Sequence, residues 1–188
     1  MPTAQMVIAQ DESLARRVEN AIQVVTGFPR SGIRFRDISP IIENDPGLFR
    51  AVIDSMAGFH QANPPDCIVA IESWGFIFAA PVAYILGSRL CLARRPGKLP
   101  RETIGETFDM CYAEGRGLAI HGDAIRAADR VLVIDDVIAS GGSALAAANL
   151  VEKAGGRCIG VGCLAAFVDT GAKRIADGGI PVHAIARL

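Results

Sequence analysis

Two adjacent carboxylates, Asp135 and Asp136, stand just before a run of small residues, Ala139-Ser140-Gly141-Gly142-Ser143. Gly141 and Gly142 tolerate positive φ and carry no Cβ, so consecutive backbone N–H groups can converge on one anion. Ser140 and Ser143 add hydroxyl donors, and a helix starting here would aim its positive end at the same point. That composition suits a phosphate. Two acids beside a phosphate cradle repel the ligand unless they hold its hydroxyl groups or a cation that comes with it. A sugar phosphate with vicinal hydroxyls, accompanied by Mg²⁺, meets both conditions.

The elements around this run are those of a parallel sheet. Val131-Leu132-Val133-Ile134 reads as a strand buried on both faces, and Ala144 to Ala154 as the helix after it, stopped by Gly155-Gly156. The acids then lie at the carboxyl end of a strand, where open α/β sheets bind ligands. Cys67-Ile68-Val69-Ala70-Ile71 reads as a second buried strand, leading through Glu72-Ser73-Trp74-Gly75-Phe76 into an apolar helix from Ile77 to Leu86. A third strand, Arg89 to Arg95, runs into Arg94-Arg95-Pro96-Gly97-Lys98-Leu99-Pro100. Three cations held out of a helix by Pro and Gly make a mobile basic loop suited to a polyanion. Cys158 to Val168 and Val182 to Ala186 complete the strands. Gly160-Val161-Gly162-Cys163-Leu164-Ala165 has the spacing of a dinucleotide fingerprint but lies within a strand-like run, so it is rejected as one.

Elsewhere the patterns are plainer. Leu14, Val18, Ile22 and Val25 give an amphipathic helix over Ser13 to Val25. Gly27 to Pro40 has two prolines and two glycines and reads as an irregular segment that covers something apolar. Asp45-Pro46 opens a helix that runs to about His60, with His60 a dipole partner at its end and His183 structural. Arg101 to Gly117 has no clear period and reads as a lid.

With 188 residues, 51% of them apolar, and a net charge of −1, the chain is expected to be one domain over residues 1–188. Neither disorder nor nucleic-acid binding is implied. Cysteines at 67, 91, 111, 158 and 163 form no Cys-x-x-Cys pair, which points to a reducing, cytoplasmic setting. The first ten residues lack the features of a secretory leader, and Gly75 to Ser88 is too short and too interrupted by Pro81 to span a membrane, so no membrane partner is expected.

The acid pair and its glycine turn resemble the phosphoribosyl pyrophosphate signature of type I phosphoribosyltransferases. Further resemblances are to adenine phosphoribosyltransferases. Gly27 to Pro40 is similar to their Phe-Pro-x-x-Gly-(two apolar residues)-Phe-Arg-Asp-Ile segment, Glu72 to Phe76 to their Glu-Ser-Arg-Gly-Phe loop, and Arg94 to Pro100 to their Arg-Lys-x-Gly-Lys-Leu-Pro element. The likeness extends over roughly residues 13 to 188, in family order.

It implies an α/β fold with a central, mostly parallel sheet flanked by helices and an N-terminal base-binding lid segment. The implied reaction is adenine plus phosphoribosyl pyrophosphate to AMP plus pyrophosphate, in purine salvage. Asp135, Asp136 and Ala139 to Ser143 would hold the phosphoribosyl group. Ser73, Trp74, Arg94 and Lys98 would meet pyrophosphate, and Phe35, Arg36 and Phe167 the base. Asp135, Asp136, Lys98 and Cys111 would carry the catalysis. Mg²⁺ is the implied cofactor, with no residue assigned as its ligand, and a homodimer the implied assembly.

Three residues depart from the pattern: Arg34 stands for an apolar residue, Trp74 for the pyrophosphate-binding arginine, and Cys111 for the lid glutamate that handles the purine proton. A thiol is a weak donor and a poor substitute for a carboxylate. Glu106, Asp109 and Glu114 are the other acids of this segment that a shifted register would bring to the base. Two alternatives therefore stand: another nitrogen base as acceptor, or a non-catalytic sensor of phosphoribosyl pyrophosphate or nucleotide.

Overall fold

The computed structural model describes residues 6–8, 11–110 and 113–188. In chain order these form β1 (Met6–Ile8), α1 (Glu12–Ala21), β2 (Gln23–Thr26), β3 (Arg34–Asp37), α2 (Ser39–Glu43) and α3 (Pro46–Gly58). Next come β4 (Cys67–Ile71), α4 (Gly75–Leu86), β5 (Arg89–Ala93), β6 (Thr103–Met110) and β7 (Ala113–His121). The last are β8 (Arg130–Ile138), α5 (Gly142–Lys153), β9 (Arg157–Ala166), α6 (Lys173–Asp177) and β10 (Val182–Arg187). A single π-helical turn, Val168–Ala172, joins β9 to α6.

Six strands make one sheet in the order β1-β10-β9-β8-β4-β5, and every pairing is parallel. Its faces separate cleanly by strand alternation. Cys67, Val69 and Ile71 of β4 join Val131 and Val133 of β8 under α5. Ile68, Ala70, Leu132 and Ile134 face the other way, into a cluster with α1, α3 and α4. Both clusters are wholly apolar, which is why the central strands read as unbroken hydrophobic runs. Cys67, Cys91, Cys158 and Cys163 are free, and burial pushes the Cys91 thiol up to about 12.

Several expectations change. The first helix ends at Ala21, because Ile22 turns extended and the β-branched pair Val24-Val25 enters β2 instead. Gly27 to Pro40 is not irregular throughout: β2 and β3 pair antiparallel, with Val25 opposite Phe35 and Val24 opposite Arg36. The 101–117 segment is likewise an antiparallel ribbon, β6 with β7, rather than an aperiodic loop. His60 is no cationic dipole partner. It is buried 3.1 Å from His183 and its pKa is lowered to about 4, chiefly by burial and then by the charges of His183 and Arg130. Asp45 does cap α3, accepting the Leu48 N–H at 2.8 Å. Residues Gly160 to Ala165 lie within β9 and open no helix.

Candidate functional site

A cavity of about 570 Å³ opens where β4 and β8 end, a size that suits a nucleotide-like ligand. Strand β8 continues through both acids, so Asp135 is fixed by pairing with Cys163 of β9 as firmly as any core residue. Its Oδ1 accepts the Asp136 N–H at 3.0 Å and its Oδ2 accepts the Ser143 hydroxyl at 3.1 Å. Burial, and then the neighbouring Asp136 charge, hold the Asp135 carboxyl well above the usual carboxylate range, and burial raises Asp136 as well. The pair resists carrying two negative charges. A cationic centre in the ligand would relieve that resistance.

The turn after β8 has the geometry of an anion cradle. Gly141 has φ +78° and hands the chain directly to the amino end of α5. Its backing is Gly171, on the π-helical turn, where a Cβ would overlap the Ala139 carbonyl and lie 2.9 Å from the Gly141 nitrogen. Ala139, Ser140, Gly141 and Ser143 all line the cavity, whereas Gly142 is buried behind it.

The opposite wall comes from the β2–β3 hairpin. Phe35 lines the cavity and meets Phe28 edge-on at 5.1 Å between centroids. Phe167 enters from the end of β9, its N–H bonded to the Ile138 carbonyl, and the Arg36 guanidinium sits 5.7 Å from its ring centroid. Arg36 Nε and Nη1 are buried without a partner, a demand that a ligand acceptor would meet. Arg34 lines the same wall.

The third side follows β4. Ser73 and Trp74 line the cavity, Trp74 also packing against the apolar cluster on the α4 side. Arg94 and Lys98 do not reach it. Arg94 donates Nε to Glu72 at 3.2 Å and Nη1 to the Lys98 carbonyl at 3.1 Å. The basic loop is also less free than its composition suggests, since Arg94 and Ala119 exchange both backbone bonds, at 2.9 and 2.7 Å. Cys111 lies outside the described residues. Glu106 is turned to α5, bonded to Asn149 and Lys153, so it is no reserve acid for the cavity.

Sequence reasoning passed over Glu72, Arg95, Phe108, Leu118 and Gly171. Glu72 and Arg95 had a signal, since each opens or sits inside a quoted motif. The other three had none, because a packed aromatic, a strand leucine and a lone glycine look alike anywhere. Among the described residues no group of three or more His, Cys, Asp and Glu side chains could hold a metal by itself. The carboxylate oxygens of Asp135 and Asp136, which line the cavity, are a donor set that fits Mg²⁺ shared with substrate phosphates and water.

Comparison with known proteins agrees with this geometry. A family model described as phosphoribosyl transferase domain matches residues 40–182. The adenine phosphoribosyltransferase of Anaeromyxobacter dehalogenans is 46% identical over 170 residues, covering 89% of this chain and 96% of that one. The crystal structure of adenine phosphoribosyltransferase from Rhodothermus marinus superimposes with a TM-score of 0.87 at 35% identity, over 95% of this chain and 100% of that one. The Giardia lamblia enzyme complexed with 9-deazaadenine gives 0.87 at 31% identity, over 93% and 97%. The all-parallel sheet, the acids at the end of β8 and the cavity beside them are thus those of a type I fold, and the chain belongs to the phosphoribosyl transferase family, on its adenine phosphoribosyltransferase branch.

Proposed function

We propose that this chain, as a single domain over residues 1–188, transfers the phosphoribosyl group of phosphoribosyl pyrophosphate to a ring nitrogen of adenine. The bond from ribose C1 to pyrophosphate breaks, the C1–N bond forms, and the base gives up its N–H proton. The products are AMP and pyrophosphate. The observation that carries this reading is convergence: the acid pair, the glycine turn and the Phe35–Phe167 wall line one cavity. The Giardia lamblia relative, complexed with 9-deazaadenine, supports a purine in that cavity.

Ala139 to Ser143 hold the 5-phosphate through backbone N–H groups and hydroxyls. Asp135 and Asp136 hold the ribose hydroxyls, and their charge favours the positive ring that develops as pyrophosphate departs. The acid pair would also hold Mg²⁺ arriving with the substrate, which when bound neutralises charge on the leaving group. Phe35 and Phe167 take the faces of the base and the Arg36 backbone its edge. Ser73, Trp74, Arg94 and Lys98 serve the pyrophosphate, and handling of the purine proton is assigned by sequence position to Cys111.

Arg94 and Lys98 lie outside their own cavity, which favours a homodimer in which this loop serves the neighbouring site. Its surface is the side of β5 and α4 where Ile77, Tyr84, Ile85, Leu90 and Leu92 are exposed. A cytoplasmic setting is supported by the free thiols; among the described residues no helix is long and apolar enough to cross a membrane.

The test is AMP formation from adenine and phosphoribosyl pyrophosphate with Mg²⁺, followed by chromatography. Replacing both acids, Asp135→Asn with Asp136→Asn, lowers turnover by about two orders of magnitude or more while the chain stays folded. Near-normal turnover in that double variant refutes the roles given to the acids. Tight nucleotide binding without turnover on adenine or any other base would make the chain a sensor instead.

A further inference from the structure

Resting on the proposed function, we infer that Thr170 and Arg174, in the segment after β9, are positioning residues for the 5-phosphate: they hold two carbonyls on the outer side of the glycine turn, so that the N–H groups behind those carbonyls face the ligand. The Thr170 hydroxyl donates to the Ala139 carbonyl at 3.2 Å, and Arg174 Nη1 donates to the Ser140 carbonyl at 3.4 Å. A trans peptide carries its C=O and the next residue's N–H on opposite sides of one plane. Fixing the Ala139 carbonyl therefore fixes the Ser140 N–H, and fixing the Ser140 carbonyl fixes the Gly141 N–H. Both carbonyls are turned toward the π-helical turn and α6, while Ser140 and Gly141 line the cavity. Among the described residues neither N–H donates to a backbone carbonyl, which leaves both for the phosphate.

The turn needs such ties because its own residues do not settle the orientation. Regular structure holds neither peptide, since β8 ends at Ile138 and α5 begins at Gly142. Gly141, at φ +78°, has no Cβ to oppose rotation of the Ser140–Gly141 peptide, and a rotated plane would aim a carbonyl oxygen at the phosphate in place of a donor. The segment that supplies the ties is itself anchored. The Phe167 N–H donates to the Ile138 carbonyl at 2.9 Å, directly before the turn, and the Ala172 N–H donates to the Phe167 carbonyl at 3.2 Å. Gly171 and Ala172 are buried between Thr170 and Arg174, which are exposed. Exposed hydrogen bonds of this kind add little to stability. What they set here is the direction of the donors.

Calorimetric titration of the full chain and its variants with AMP and, separately, with adenosine isolates the phosphate. Thr170→Val removes the hydroxyl at near-constant volume and lowers AMP affinity about fivefold or more, with adenosine affinity within about twofold of the parent. Thr170→Ser keeps the hydroxyl and binds AMP as the parent does. Arg174→Met lowers AMP affinity about threefold or more, and the loss persists in about 1 M salt, where attraction between separated charges is screened beyond about 3 Å. In the steady state both variants raise KM for phosphoribosyl pyrophosphate and leave KM for adenine within about twofold. AMP affinity within about twofold of the parent in the double variant, Thr170→Val with Arg174→Met, overturns the inference, and so does an equal loss for adenosine. A loss in Arg174→Met that vanishes in high salt makes that residue a distant charge and overturns its part. Should the parent bind AMP but form none from adenine and phosphoribosyl pyrophosphate, the proposed reaction fails while the comparison of AMP with adenosine still decides the role of the two residues.

Discussion

Gly171 shows how a residue with no chemistry of its own sets the shape of the cradle. It sits on the π-helical turn after β9, with Ala139 and Gly141 packed where its side chain would be. Gly141 needs its positive φ of 78° to turn the chain, and the missing Cβ at Gly171 lets that turn lie flat. Gly171→Ala pushes Ala139 and Gly141 outward, at a cost of about 1–3 kcal/mol in stability. Its signature is a raised KM for phosphoribosyl pyrophosphate at near-constant KM for adenine, because the base wall is untouched. Equal rises in both would mean that the turn is not what moved. The acids and glycines of the cradle were legible, because charge and positive φ leave a mark in the sequence. Gly171 was not, since its reason is a long-range contact. Glu72 was half legible: its place in a motif was plain, but its grip on Arg94 and Arg95 depends on β5 lying beside β4.

At the scale of elements, the parallel strands announced themselves and the two hairpins did not. Strands β4 and β8 are buried on both faces, so their composition is uniform and unmistakable. All four residues of β2 are exposed, and its pairing with β3 leaves no hydrophobic alternation to read. The junction of α3 with β10 is illegible in the sequence for a related reason. A histidine at a helix end suggests a cation, yet the fold places His60 against His183, whose ring is stacked 5.0 Å from Phe59. Burial lowers both histidines, taking His60 to about 4, whereas an unfolded histidine titrates at about 6.5. As pH falls below 6.5 the unfolded chain takes up protons that the folded one refuses, so stability present at pH 7 is lost toward pH 4. Between pH 6.5 and 5 the His60 share of this loss is about 1–2 kcal/mol. Urea unfolding at these two values should register it, and His60→Leu should flatten the dependence. An unchanged slope in the variant would assign the loss to other groups.

At the scale of the molecule, the strongest unused feature is the apolar surface around β5. Leu90 and Leu92 pair with Ile68 and Ala70, so they face the α4 side of the sheet, yet they remain 41% and 38% exposed. On α4, Ile77 and Ile85 are also open to solvent, and Tyr84 is 88% exposed. An edge strand with leucines uncovered is a liability unless a partner covers it. The basic loop begins at the end of this strand, and Arg94 and Lys98 do not line their own cavity. Pairing two copies across β5 and α4 would bury the leucines and carry each loop toward the other site. Leu90→Glu with Tyr84→Glu places charges at the centre of that surface, far from the acid pair and the cradle. On that pairing, sedimentation should show a dimer for the parent and a monomer for the variant, and KM for phosphoribosyl pyrophosphate should rise with dissociation. A parent that sediments as a monomer with full activity would confine the whole pyrophosphate grip to one chain and leave the leucines of β5 uncovered in the working enzyme.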